Sequence, residues 1–422
     1  MQFILRGAAL LDGRGRSHVP GAVRIGGERI IEAGNWKDIG SDAEQVIHFS
    51  RGIIIPGLVN AHAHLDLSHL AGRVEYKGSF VDWLATVGKA RDGSTEDEVR
   101  IAAGAAVRVL AKTGTTTVGD VSYSEATYHL LSESGLRGVV FMEALGRHPG
   151  RIGEEIRRLG RLLEVCAPTP RLAVGVSPHA SYTVAPQLFS ELRNRFRGGG
   201  RRFSIHVAET LEETAFTENG RGPLVDSLKR IGFVEADFTP PGTTPLGFLG
   251  SAGFVAPDTS LAHANFLSEE DFDLLTERQS DGPVCVVHCP RSHRYFRRPP
   301  FPVRSFVERG IPVCLGTDGL CSNTGLDMLG EARELSIEHP ELRPETVLGM
   351  VTYAGARSLG LEEECGSLEP GKAADCAVIE IPETVDAEPG ADAHRAILHD
   401  EARVVLTMVA GKILHRADTA RP

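Results

Sequence analysis

Apolar and polar positions fall into two patterns along the chain. Residues 1–55 run as short apolar stretches, Phe3-Ile4-Leu5, Ala22-Val23-Arg24-Ile25 and Arg29-Ile30-Ile31, broken by Asp12-Gly13 and Gly26-Gly27. This is the pattern of antiparallel strands and tight turns. The carboxyl end returns to it with Cys376-Ala377-Val378-Ile379, an apolar run from Val404 to Val409, and the turn Ala410-Gly411-Lys412. Between the two ends, strand-like segments at Leu58–Ala61, Thr115–Val118, Gly138–Met142, Leu172–Val176, Phe203–Val207, Ser260–Ala264, Val284–His288 and Val313–Gly316 are separated by helical stretches such as Glu96–Lys112 and Glu191–Phe196. Eight such units predict a closed parallel (β/α)8 TIM barrel over residues 57–365. Residues 1–56 and 366–422 are expected to combine into a small β-sandwich domain. The segment from Gly220 to Phe254, with its Pro240-Pro241-Gly242 turn, is too long for an ordinary connection and reads as a lid or an oligomer contact. Residues 69–95, carrying Phe80 and Trp83, read as a second cover.

Composition narrows the partners. Lys+Arg 45 against Asp+Glu 56 leaves a net charge of −11 over 422 residues, which argues against nucleic acid or an anionic membrane. No stretch reaches about 18 uninterrupted apolar residues, and the first residues lack a basic region followed by an apolar run, so a cytoplasmic protein is expected. The expected partners are a small-molecule substrate and a second copy in a homodimer. Seven scattered cysteines without Cys-x-x-Cys indicate neither a disulfide framework nor a zinc ribbon.

The chemistry collects at strand ends. His62 and His64 close Leu58-Val59-Asn60-Ala61-His62-Ala63-His64, and residues two apart on a strand share a face, so both imidazoles meet one point. Neutral imidazole suits a divalent transition metal, and a catalytic site takes about three or four protein ligands. Downstream strand ends offer His179, His206 with Glu209, His263, His288 and Asp318. Singly, each is more often a hydrogen-bonded structural group or a turn residue. Six of eight predicted strands carrying one at the same end is harder to dismiss.

The motifs Pro56-Gly57-Leu58-Val59-Asn60-Ala61-His62-Ala63-His64, Pro178-His179-Ala180-Ser181-Tyr182-Thr183, His206-Val207-Ala208-Glu209-Thr210, His288-Cys289-Pro290-Arg291-Ser292 and Gly316-Thr317-Asp318-Gly319 occur in this order, followed by Gly366-Ser367-Leu368-Glu369-Pro370-Gly371-Lys372. Together they resemble the amidohydrolase superfamily, in its branch of aminohydrolases acting on purine nucleosides and related heterocycles. The resemblance implies that His62, His64, His206 and Asp318 bind one divalent metal, zinc or alternatively iron. It further implies that Glu209 handles protons at the substrate ring and that His263 orients or polarises the attacking water, so that Glu209, His263 and Asp318 form the catalytic set. Binuclear members use a carboxylated lysine on strand four. Leu172-Ala173-Val174-Gly175-Val176-Ser177 has none, so a single metal is expected.

Departures from the pattern fall on the substrate side: His293 stands where relatives often have Asn, and Ser181 where they often have Pro. The candidate substrate contacts are Trp83, Arg147, His179, Arg294, Arg297 and Ser322. Arg294 and Arg297 belong to the basic run Arg291–Arg298, and guanidinium pairs bidentately with carboxylate, which favours a benzoate-bearing substrate. The expected reaction is therefore deamination of 6-amino-6-deoxyfutalosine to futalosine and ammonia, a step of menaquinone biosynthesis. The alternatives are adenosine, methylthioadenosine or adenosylhomocysteine deamination, amino- or chlorohydrolysis of a triazine, pterin or guanine, and a non-catalytic scaffold. The run Gly366–Lys372 matches most of a P-loop, but Ala373 stands where Mg²⁺ coordination needs Ser or Thr. Cys289, beside His288, reads as a buried inert thiol.

Overall fold

The computed structural model describes residues 2–39, 45–383 and 392–417. Strand Val46–Pro56 ends one residue before Leu58–Ala63, and only Gly57 separates the two sheets to which these strands belong. Gly57 donates its N–H to the Asp375 carbonyl at 3.0 Å, and a Cβ there would lie 2.0 Å from Thr116 Oγ1, so no other residue fits the crossing.

The terminal strands form one mixed sheet in the order Lys412–Arg416, Arg403–Val409, Cys376–Glu380, Val46–Pro56, Gln2–Leu11, Gly21–Gly26, Arg29–Asn35, with the short Ser17–His18 on Gln2–Leu11. The expected all-antiparallel pattern fails at one place. Gln2–Leu11 and Val46–Pro56 run parallel, Ile4 opposite Val46 and Leu10 opposite Ile54, because the intervening hairpin returns the chain to the other edge. The sandwich itself is one continuous sheet curled on itself. Val23 and Ile25 near one edge share an apolar cluster with Leu406 and Met408 near the other. Both faces of this sheet are covered, which explains the run Ile53-Ile54-Ile55: Ile53 and Ile55 join the barrel's core, whereas Ile54 turns to the sheet's own core.

The second sheet is the expected barrel. Its strands, numbered here β1 to β8, are Leu58–Ala63, Thr115–Ser122, Arg137–Ala144, Leu172–Pro178, Phe203–Val207, Thr259–His263, Cys285–His288 and Val313–Leu315, all paired in parallel in sequence order. The ring closes where Ala63 bridges Asp318, reinforced by Asn60 Nδ2 donating to Thr317 Oγ1 at 2.7 Å and Thr317 N donating to Asn60 Oδ1 at 3.1 Å. Helices cover the outside, so the strands are buried on both faces and read as near-continuous apolar runs. The helix over Glu96–Lys112 has the predicted bounds, opened by a Thr95–Glu98 capping box. The two domains are joined by a buried ion pair, Arg137 Nε to Asp375 Oδ2 at 2.8 Å, and Asp375 Oδ1 also accepts the Ala410 N–H at 2.7 Å.

Two covers lie over the barrel mouth. Residues 69–95 contain a helix, Phe80–Asp92, whose Phe80, Trp83 and Val87 pack with Leu70, Phe296 and Cys321. The 220–254 segment contains helices Pro223–Arg230 and Pro245–Ser251, the first held by Leu224, Val225 and Leu228 against Tyr182 and Phe216. Among the described residues, no helix is long and apolar enough to cross a membrane. The Gly366–Lys372 run is no phosphate cradle: Lys372 Nζ is spent on the Glu362 carbonyl, Ser367 Oγ and Glu369.

Candidate active site

The carboxyl end of β1 brings His62 and His64 to one side of the ring. From β5, His206 Nε2 approaches His64 Nε2 to 3.1 Å, and from beyond β8, Asp318 Oδ1 lies 3.7 Å from His64 Nε2 and 3.9 Å from His62 Nε2. Ligand atoms of His62, His64 and His206 lie within 4.8 Å of one another, and so do those of His62, His263 and Asp318. On distance alone His263 is thus a fifth donor, although its Nε2 also faces Glu209 Oε1 at 3.9 Å.

The hydrogen bonding explains why these groups converge. His206 Nδ1 lies 2.9 Å from the His179 carbonyl, which fixes the proton on Nδ1 and leaves Nε2 with a bare lone pair. Among the described residues, neither ring nitrogen of the buried His62 has a hydrogen-bond partner. An orphaned imidazole amid three others is costly unless something positive sits between them. A divalent ion satisfies this donor set of three imidazoles and a carboxylate. Burial, with His206 next to it, lowers His64 to about 4, and burial together with the surrounding imidazoles lowers His62 well below the usual range, so both rings are neutral at neutral pH. Burial would raise Asp318, but His263 and His64 with the hydroxyls of Ser322 and Ser292 hold it at about 2. His263, Asp318, Ala208 and Ala264 all have positive φ, at 72°, 58°, 47° and 50°, so the site concentrates strained backbone where the strands end.

A cavity of about 600 Å³ opens over these groups, bounded by the two covers and by His179, Glu209 and Glu143. Glu209 is buried, and Arg298 Nη2 donates to its Oε1 at 2.8 Å. Burial alone would raise the Glu209 pKa, but His263 and Arg298 hold it below the ordinary value. Trp83 and His179, two of the candidate substrate contacts, line the cavity.

Four expected residues lie elsewhere. Ser322 is fully buried behind Asp318 and donates to its Oδ2 at 2.7 Å, so it orients a carboxylate instead of facing the cavity. Arg294 points outward and pairs with Glu334 at 2.9 Å. Arg297 is in a separate groove, with Phe80, Thr210, Pro223 and Phe266. Arg147 donates to the Ser181 and Val184 carbonyls at 2.6 and 3.0 Å and is stacked over Phe216 and Phe238. His288 also lies outside the cavity, stacked on Phe301 at 3.8 Å. His293 is fixed between Asn265 and the Pro299 carbonyl. Burial raises the Cys289 thiol well above its usual range, in keeping with an inert side chain.

Three residues of the site escape the sequence reading. Arg298 is one. Asp120 on β2 and Glu143 on β3 are the others, and their signal is the one used elsewhere: a carboxylate at the carboxyl end of an apolar strand, on the two strands passed over. Asp120 accepts the Leu65 N–H at 2.9 Å and so braces the turn after His64.

The amidohydrolase family profile matches residues 53–414. A 5-methylthioadenosine/S-adenosylhomocysteine deaminase of Syntrophobacter fumaroxidans is 29% identical over 439 residues, covering 96% of this chain and 94% of that relative. The fold is similar to an aminofutalosine deaminase of Helicobacter pylori, with TM-score 0.83, 24% identity, and 97% and 99% of the two chains covered. It is also similar to an adenosine deaminase of Xanthomonas campestris with bound zinc, with TM-score 0.81, 22% identity, and 99% and 94% covered. With a family match running from residue 53, in the strand Val46–Pro56, to residue 414, in the strand Lys412–Arg416, the chain belongs to the amidohydrolase family.

Proposed function

We propose that this protein is a metal-dependent hydrolytic deaminase of an aminated purine nucleoside. The observation that carries the reading is the convergence of His62, His64, His206 and Asp318 with an orphaned His62 ring, beside a cavity that His64, His206, Asp318, Glu209 and His263 line. The Syntrophobacter relative, named for nucleoside deamination over nearly its whole length, supports the same class. His62, His64, His206 and Asp318 would hold one ion, zinc by the donor set with iron the alternative, and β4 offers no lysine to bridge a second. When bound, that ion supplies the Lewis acidity that brings deprotonation of water into the neutral range.

The chain's own groups then move protons. Glu209 and Asp318 are both held ionised, so each is loaded from the attacking water. Glu209 passes the first proton to the ring nitrogen beside the aminated carbon as the C–O bond forms. Asp318 passes the second to the amine as the C–N bond breaks, and ammonia leaves. His263, 3.9 Å from Glu209, orients the water.

For the substrate, the benzoate argument moves from Arg294 and Arg297 to Lys89 and Arg91, which line the cavity on the Phe80–Asp92 cover. These cations suit a carboxylate-bearing 5′ substituent, and in this reading 6-amino-6-deoxyfutalosine and adenosylhomocysteine rank ahead of adenosine. Metal analysis combined with ammonia release over purine nucleosides, free bases and triazines tests the reading. Metal with nucleoside turnover supports it. Turnover of triazines or free bases alone points to the other branch of the family, and neither metal nor turnover to a scaffold.

A further inference from the structure

Glu143 stands at the carboxyl end of β3 with its side chain facing the cavity, and the residue is only 6% exposed. Among the described residues nothing donates a hydrogen bond to its carboxylate. The nearest groups, His179 Nε2 and Arg91 Nη1, are both 4.0 Å away, too far to bond. Arg158 is engaged by Glu155 and by the Glu143 backbone carbonyl. A carboxylate this buried with no donor is expensive, and one facing a ligand cavity is supplied by the ligand.

Position and charge say which part of the ligand. The His206 and His179 rings have centroids 4.7 Å apart, and Glu143 Oε1 lies 4.0 Å from His179 Nε2. A flat heterocycle with its amine at the metal donors and its edge at Glu209 would meet His179 next, and its ring substituent would then come within reach of Glu143. A cationic substituent is disfavoured, because Lys89 and Arg91 line the same wall. What fits is a neutral group with two adjacent donors, since one carboxylate accepts two parallel hydrogen bonds. Burial and the neighbouring Asp66 push Glu143 up to about 7, which suits it to hydroxyls, partners that both donate and accept.

We propose that Glu143 is the subsite for the vicinal 2′- and 3′-hydroxyls of the substrate's ribose. This rests on the nucleoside reading above. The specificity follows from the same geometry: a site built to bond a hydroxyl discriminates against analogues lacking it, because its own polar group is then left unpaired.

The test compares kcat/KM for adenosine and 2′,3′-dideoxyadenosine in the metal-loaded parent, Glu143→Gln and Glu143→Leu. In the parent, adenosine is preferred by on the order of 10–100-fold, the range for hydrogen bonds to a charged group. In Glu143→Leu that ratio collapses to within about threefold of one, and Glu143→Gln, which keeps an acceptor oxygen, falls between. Metal content and thermal midpoint, measured in parallel, separate a lost subsite from a misfolded variant. A parent with no preference, or a Leu variant keeping the full ratio with metal bound, overturns the assignment and leaves the deaminase reading standing. Failure of the parent to deaminate any purine nucleoside overturns both.

Discussion

Replacing Arg298 by Met removes the guanidinium that holds Glu209 while keeping an apolar stem against Phe296, whose ring lies 4.5 Å from the guanidinium carbon. The pair is 2.8 Å long between side chains 6% and 7% exposed. Unit charges at that separation attract by about 6 kcal/mol at an effective dielectric of about 20. Part of this offsets desolvation, and deleting one partner of such a pair typically costs ~3–5 kcal/mol. The pH dependence gives the effect its signature. In the parent, Glu209 has a folded pKa below its unfolded one, so it contributes stability above the ordinary carboxylate range and loses it as pH falls through the depressed value. Without Arg298, one of the groups that oppose the burial penalty is gone and the folded pKa rises, so the pH window in which Glu209 loses its stabilising contribution moves upward and that contribution shrinks. Denaturation midpoints of metal-loaded parent and variant should therefore differ most near neutral pH and converge toward acid. The acid limb of kcat/KM should move to higher pH. In a double-mutant cycle, Arg298→Met should cost much less in a Glu209→Gln background, where no charge is stranded. A difference independent of pH, an unmoved acid limb, or simple additivity with Glu209→Gln would refute the coupling.

His62→Ala, His206→Ala or Asp318→Ala should abolish metal retention and turnover together, read by elemental analysis after dialysis, because each leaves too few ligands. Glu209→Gln should keep its metal and lose on the order of 10²-fold or more in kcat, since the amide cannot carry a proton. Arg137→Met strands the buried Asp375 and should lower stability by ~3–5 kcal/mol, seen as an earlier denaturation midpoint. Arg294→Met should leave kcat/KM within about twofold on both carboxylate-bearing and plain nucleosides, because the side chain is 68% exposed and pairs with Glu334; a substrate-selective loss would return it to the site.

The barrel strands and the convergence of His62, His64, His206, His263 and Asp318 were legible because both depend on short-range regularity: apolar runs of strand length, and a polar residue where each run stops. What failed depends on backbone turns that no periodicity encodes. The helix Pro290–Tyr295 stops at Phe296, and Arg297 adopts φ 53°, which turns the chain so that Arg298, not Arg294 or Arg297, reaches Glu209. Ser322 was misplaced for a related reason. It sits four residues past Asp318 in a tight turn, where a hydroxyl bonds back to the carboxylate. The parallel pairing of Gln2–Leu11 with Val46–Pro56 was hidden because alternation is the same for either strand direction.

The curled sheet also bears on how the chain folds. Strand Val46–Pro56, which runs on into the His62–His64 strand, is flanked on one side by Gln2–Leu11 and on the other by Cys376–Glu380. During synthesis its second neighbour does not exist until nearly the whole barrel has been made. Until then Ile53, Ile54 and Ile55 have an open edge of unpaired amides and carbonyls beside an apolar face, a combination that invites pairing with another chain. Contacts closing across more than 300 residues also place this protein among slow folders. Shortening the carboxyl end before Cys376 should therefore produce aggregation, not a smaller soluble barrel, although all of the metal-donor residues lie upstream of the cut.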